Sequence, residues 1–255
     1  MKRLTILMMI VLSMLLVACN AQTGNGDVTT RTVDVSEFEK MQLALSGQAL
    51  VTVGDTQSVE ITTDSNLQDL LVVEVRGDTL HIGLQNNTAI ANPTEMTFTV
   101  VVPRLNEVNV SGSGTVIIDD FTTDEMAFNV SGSGDVEMDS LTTNTLDISV
   151  SGSGSVTIDE VEAESIETSI TGSGTVTLGG ETESIDVSVS GSGDLEAFEL
   201  EVETASVRVQ GSGNVQITVN DSLTGSISGS GDVNYRGNPE LDVNVSGSGE
   251  INESN

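Results

Sequence analysis

Three aspartates recur at one interval: Asp119, Asp139 and Asp159 lie twenty residues apart, with Asp120 and Glu160 beside them. If chain segments stack, such carboxylates sit roughly 5 Å from one another, repel, and draw in a cation or water. Two readings stand: a weakly bound Ca²⁺, which takes oxygen ligands, or a solvated acidic edge. A second group, Arg76-Gly77-Asp78, matches the tripeptide recognised by integrins and falls where a hairpin tip is expected. Gly-Asp is also a common hairpin pair in its own right. Cys19 is the only cysteine and His81 the only histidine, so these two types cannot assemble a zinc site. His81 stands between Leu80 and Ile82 and should alternate outward. A polysaccharide lyase would need a base beside carboxylates. Only six Lys and Arg follow residue 18, and Arg208 and Arg236 lie about one repeat apart with no fixed partner. With no Trp and one Tyr, stacking platforms for sugars or bases are nearly absent. No catalytic constellation emerges, and the chain is expected not to be an enzyme.

What must position these residues is a repeat. Gly-Ser-Gly triplets begin at Gly112, Gly132, Gly152, Gly172, Gly191, Gly211, Gly229 and Gly247, at spacings of 20, 20, 20, 19, 20, 18 and 18 residues. A period this steady means stacked units. Two residues before each triplet comes Val110, Val130, Val150, Ile170, Val189, Val209, Ile227 or Val245. Four residues after its first Gly comes Val116, Val136, Val156, Val176, Leu195, Val215, Val233 or Ile251. This period-2 alternation on both sides of a tight turn predicts two short strands with one face buried. Equivalent residues hold one register through eight copies, so each copy should be one coil of a parallel β-solenoid of about eight coils. The drift from 20 to 18 residues must fall in the second connection of each coil, because the strand-turn-strand part is constant.

The chain opens on Met1-Lys2-Arg3 and an apolar run from Leu4 to Ala18, too short to span a membrane. Leu16-Val17-Ala18-Cys19 resembles the lipobox of bacterial lipoproteins. That resemblance implies a signal peptide over 1–18, cleavage before Cys19 and lipid on its sulfur. Asn20, in place of Asp, points to the outer membrane or the cell surface. Residues 19–30 are small and polar and predict a flexible tether. The chain carries 39 Asp and Glu against 8 Lys and Arg, a formal charge of −31; loss of Lys2 and Arg3 with the leader takes it to about −33. Such a surface excludes nucleic acid as a partner.

Residues 31–255 form a single expected domain: an N-terminal cap section, 31–105, and the repeat coils, 106–255. In the cap, Val33–Val35, Leu43–Val53, Val59–Ile61 and Thr97–Pro103 predict strands, Asn66–Leu71 a short helical turn, and Val72–Leu84 a hairpin with Gly77-Asp78 at its tip. Ser46-Gly47-Gln48 reads as a degenerate copy of the turn. A Pro-Arg-Leu-Asn-Glu-Val lead-in (Pro103–Val108), serial Ser-Gly-Ser-Gly turns and a closing Val-Asn-Tyr-Arg-Gly-Asn-Pro (Val233–Pro239) resemble the head GIN domain family of auto-transporter adhesins, over residues 33 to 240. The resemblance implies an all-β, right-handed parallel β-helix, similar in shape to pectin lyases but without their catalytic residues. The chain departs from an autotransporter in showing no stalk or barrel anchor; lipid on Cys19 would replace them. Two function classes follow. One is a lipid-anchored surface module for binding or adhesion, with host matrix, glycan or a cell-surface ligand as partner. The other is a structural or stress-related envelope protein facing the periplasm.

Overall fold

Alternating Val, Ile and Leu make each repeat a strand with one dry face, and stacking the repeats turns those faces into continuous columns. The computed structural model describes residues 21–254. In it Val116, Val136, Val156, Val176, Leu195, Val215 and Val233 are at most 1% exposed. Val110, Val130, Val150, Ile170, Val189, Val209 and Ile227 match them on the other side of the turn. Fully burying each such side chain contributes about 1.5–3 kcal/mol. Val245 keeps the column's register but is 40% exposed, since no further coil covers it among the described residues.

The N-terminal section comprises β1 (Ala21–Thr23), β2 (Val28–Val33), β3 (Lys40–Leu43), β4 (Gln48–Val53), β5 (Ser58–Asp64), a 3₁₀ turn at Gln68–Leu70, β6 (Leu71–Arg76), β7 (Thr79–Leu84), β8 (Ala89–Ala91) and β9 (Met96–Val102). The hairpin expected at 72–84 is β6–β7, and the helical turn is the 3₁₀ segment. β3 and β4 flank the degenerate Ser46-Gly47 turn and stack beneath the first regular coil. Beyond them β7, β9, β5 and β2 close the end of the solenoid, and β2–β5–β9 runs antiparallel.

The coils run through β10 (Glu107–Val110), β11 (Thr115–Ile118), β12 (Phe121–Thr122), β13 (Glu125–Gly132), β14 (Asp135–Gly152), β15 (Ser155–Gly172), β16 (Thr175–Gly191), β17 (Asp194–Gly211), β18 (Val215–Gly229), β19 (Val233–Arg236), β20 (Glu240–Gly247) and β21 (Ile251–Glu253). From β13 to β18 every neighbour is parallel, and Val130 faces Val150, which faces Ile170. Register shifts fall at Ile158/Val161, Thr177/Gly179, Ala197/Glu201 and Val202/Thr204, all in the second connection where the period drifts. The solenoid has about seven turns, not eight. Eight triplets bound seven full circuits, and only β21 follows the last triplet.

Two demands select glycine in these turns: the first Gly of each triplet from Gly132 to Gly247 has φ between +125° and +149°, and stacking leaves no room for a Cβ at either Gly. Gly112 opens the first triplet without a positive φ, yet a Cβ there would lie 2.9 Å from the Leu45 carbonyl oxygen. Gly154 is the second Gly of its triplet, and its Cβ would overlap the Gly134 carbonyl oxygen and approach Val130 Cγ1 to 2.6 Å. Backbone bonds continue the ladder through the turns, as from Ser153 N–H to the Gly132 carbonyl at 2.8 Å.

The tether expectation needs correcting. Within 19–30, residues 21–23 pair in parallel with Ala89–Ala91, and Val28–Thr30 pair with Asp64–Thr62. Small polar residues read as tether because their partners lie some thirty to seventy residues away, beyond the reach of local composition. The leader, 1–18, and Cys19 lie outside the described residues.

Candidate functional site

The second connection of each coil repeats an exposed–buried–exposed triple. Thr142-Thr143-Asn144, Glu162-Ala163-Glu164, Glu181-Thr182-Glu183 and Glu201-Val202-Glu203 follow one another up the rod. Strand register places Thr142 beside Glu162, Glu162 beside Glu181, and Glu181 beside Glu201. The inner residues Thr143, Ala163 and Thr182 form a floor between two rails, and Val202 continues their line wholly buried. Thr143 and Thr182 donate their hydroxyls to the carbonyls of Thr145 and Ser184, at 3.0 and 3.1 Å, so the floor carries no idle donor there. A groove of about 1020 Å³ runs along these coils and is lined by seven carboxylates against one cation, Arg104. Neighbouring carboxylates on one rail are separated by roughly one strand spacing, ~4.8 Å, and repel. The groove therefore concentrates negative potential along a line and favours a positively charged, extended ligand.

Asp119, Asp139 and Asp159 are exposed and follow the in-register partners Ile118, Met138 and Ile158. The column thus exists, but among the described residues no group of three or more His, Cys, Asp or Glu converges to hold a metal ion. The three sit where the strand briefly leaves its ladder, between Met138/Ile158 and Ser140/Glu160. A different carboxylate ladder escaped the sequence reading. The Asp135 carboxylate accepts the Ser155 N–H at 3.1 Å and its hydroxyl at 2.6 Å. Asp194 accepts the Asn214 N–H at 2.8 Å, Asn214 accepts that of Asp232 at 3.2 Å, and Asp232 that of Glu250 at 2.8 Å. These residues close the turn of one coil onto the next, and their signal is the Asp or Asn that follows Gly-Ser-Gly.

The Arg76-Gly77-Asp78 tip is a two-residue turn with Gly77 at φ +69°. Its charges have partners within the chain: Arg76 Nε donates to Glu74 Oε1 at 2.8 Å, and Asp78 lies 3.4 Å from Lys40 Nζ. Partial desolvation pushes the Asp78 carboxyl up, but its own backbone N–H and Lys40 outweigh this and hold it below the usual carboxylate range. His81 is half-buried between Leu80 and Ile82, as alternation requires.

Asp64, at the end of β5, is fully buried. Its carboxylate accepts the Gly26 N–H at 2.6 Å and the Thr94 N–H and hydroxyl at 2.7 and 2.9 Å. Burial raises its pKa, but these donors outweigh burial and the net shift is downward. A depressed pKa in the folded state contributes stability above the unfolded value of 3.8, lost as pH falls through the folded value. The readout for this one carboxylate is local. Protection of the Gly26 and Thr94 amides, taken relative to intrinsic exchange at each pH, should be high at neutral pH and fall in acid below about pH 4. Asp64→Asn should make both amides fast at neutral pH; slow exchange in the variant would contradict this role.

The family model described as "Putative auto-transporter adhesin, head GIN domain" matches residues 37–239. The chain belongs to this family. Three solved structures are similar to this head GIN chain and each covers 92% of it. A "putative lipid binding protein" from Parabacteroides distasonis is 28% identical, with a TM-score of 0.88 over 100% of that chain. A "putative adhesin" from the same species is 26% identical at 0.87, also over 100%. A "putative adhesin" from Parabacteroides merdae is 26% identical at 0.86, over 99%. Among curated proteins no relative matches. Head GIN membership carries an adhesin-like character, and with it a cell-surface or envelope location.

Proposed function

We propose that this head GIN protein is a lipid-anchored binding module of the cell envelope, without catalytic activity, that holds basic segments of a matrix or cell-surface partner in its acidic groove. The observation that carries the reading is the pair of carboxylate rails repeated at coil spacing along one groove. An array of equivalent, individually weak contacts sums when a ligand spans several coils. The lipobox at Leu16–Cys19 supplies the anchor, and the adhesin-like relatives support the binding role. Arg76 and Asp78 are weaker candidates, because Glu74 and Lys40 already engage them.

The test displays residues 21–255 on beads against immobilised basic, neutral and acidic polymers. Binding should be selective for the basic surface and fall with salt. Changing Glu162, Glu181 and Glu201 together to Gln should weaken it about tenfold, the sum of three exposed ion pairs. Asp78→Ala should bind like the parent. Equal binding by the triple variant would refute the groove, and binding lost in Asp78→Ala would move the site to the hairpin tip.

A further inference from the structure

The described chain enters the fold at the end of the rod opposite the last coil, and it is held there at every step. β1 pairs with β8, and the Thr23 carbonyl accepts from Asn66 Nδ2 at 2.9 Å. Asn25 N–H donates to Asn66 Oδ1 at 3.1 Å, and Gly26 N–H to buried Asp64. Asp27 accepts from Ser65 N–H at 2.8 Å, and β2 then joins β5 through Val33. Gly24 packs so closely on Asp64 that a Cβ would lie 2.5 Å from its Cγ. In strand order β2 is the last strand at this end, and β21 stands eleven strand steps away, through β5, β9, β4, β11, the coils and β19. At ~4.8 Å per step the rod reaches roughly 50 Å from β2 to β21. Charge is divided along the same axis. Residues 21–105 carry eleven carboxylates against four Lys and Arg, and residues 106–255 carry twenty-eight against two.

We infer that the protein stands on its capped end on a lipid surface, with the coils and their groove projecting away from it. One residue, Asn20, separates Cys19 from the first paired strand. The path from anchor to fold is therefore no more than about 7 Å of extended chain. A surface bearing anionic lipid repels the coil section more strongly than the cap, which turns the rod upright. The inference rests on the anchor reading of Cys19, but the two can fail separately. Cys19 is the sole thiol, so a chain beginning there can be coupled to maleimide-bearing lipid whether or not a cell acylates it.

The experiment is neutron reflectometry of residues 19–255 coupled in this way to a supported bilayer containing anionic phospholipid. The expected protein layer is about 50 Å thick and begins at the headgroups. Gly24→Val should displace Asp64 and release residues 21–27. That frees up to about 25 Å of chain and opens a hydrated gap beneath the protein. A parent layer no thicker than one rod width, roughly 20–25 Å, would overturn the inference. So would a gap beneath the parent as wide as that beneath Gly24→Val.

Discussion

Val150→Asp should unfold the middle of the solenoid, whereas Ser151→Asp, one residue on, should leave the melt nearly unchanged. Val150 is 1% exposed and stacks between Val130 and Ile170 in the dry column. A carboxylate there meets only alkyl groups, and an unpaired buried charge costs several kcal/mol even after its pKa has shifted to neutralise it. Coils couple only to their neighbours, so the loss at one coil also weakens the two that stack on it. Ser151 is exposed in the turn, and its backbone keeps the Ser131 and Thr171 register whatever the side chain. Denaturant melts of the two variants should therefore differ by several kcal/mol. Equal midpoints would show that the inward and outward faces are assigned wrongly.

Gly154→Ala should be nearly as damaging, although it adds one methyl group to a residue of ordinary φ. The new Cβ would overlap the Gly134 carbonyl oxygen of the coil below and crowd Val130 Cγ1 at 2.6 Å. Neither retreats easily: one is turn backbone between Ser133 and Asp135, whose N–H groups are both bonded to the coil below, and the other is packed in the core. Overpacking of this kind costs about 1–3 kcal/mol when side chains can adjust, and more when backbone must move. Gly26→Ala provides the contrast. Gly26 has φ +80° and nothing within 4 Å of its Cβ position, so only the left-handed backbone penalty, about 1–2 kcal/mol, applies. Thermal melts should rank Gly154→Ala below Gly26→Ala. The reverse order would mean that contact with the coil below is not what requires glycine at position 154.

The columns through Val116 and Val150 were legible because the same residue type returns at a fixed interval, and a parallel stack is the packing that keeps such copies in register. Much of the cap was legible, as in the Gly77-Asp78 hairpin, but not its edge: the strand expected at Val33–Val35 is β2, Val28–Val33, and β1 and β8 were missed, because pairing of β2 with β5 and of β1 with β8 leaves no local trace in composition. The groove was legible only as acidic surface. Glu162, Glu181 and Glu201 align despite spacings that change from 19 to 20 residues, because the register shifts absorb the difference nearby. Asp119, Asp139 and Asp159 show the opposite case: an invariant spacing that aligns residues without gathering them.

Antibody labelling of intact cells, with antibody raised against residues 106–255, tests the central claim most directly. If the coils are displayed for binding, labelling of intact cells should equal that of permeabilised cells and should be abolished by protease added outside. Labelling that emerges only after the envelope is permeabilised would contradict display at the surface and favour a structural protein of the periplasm.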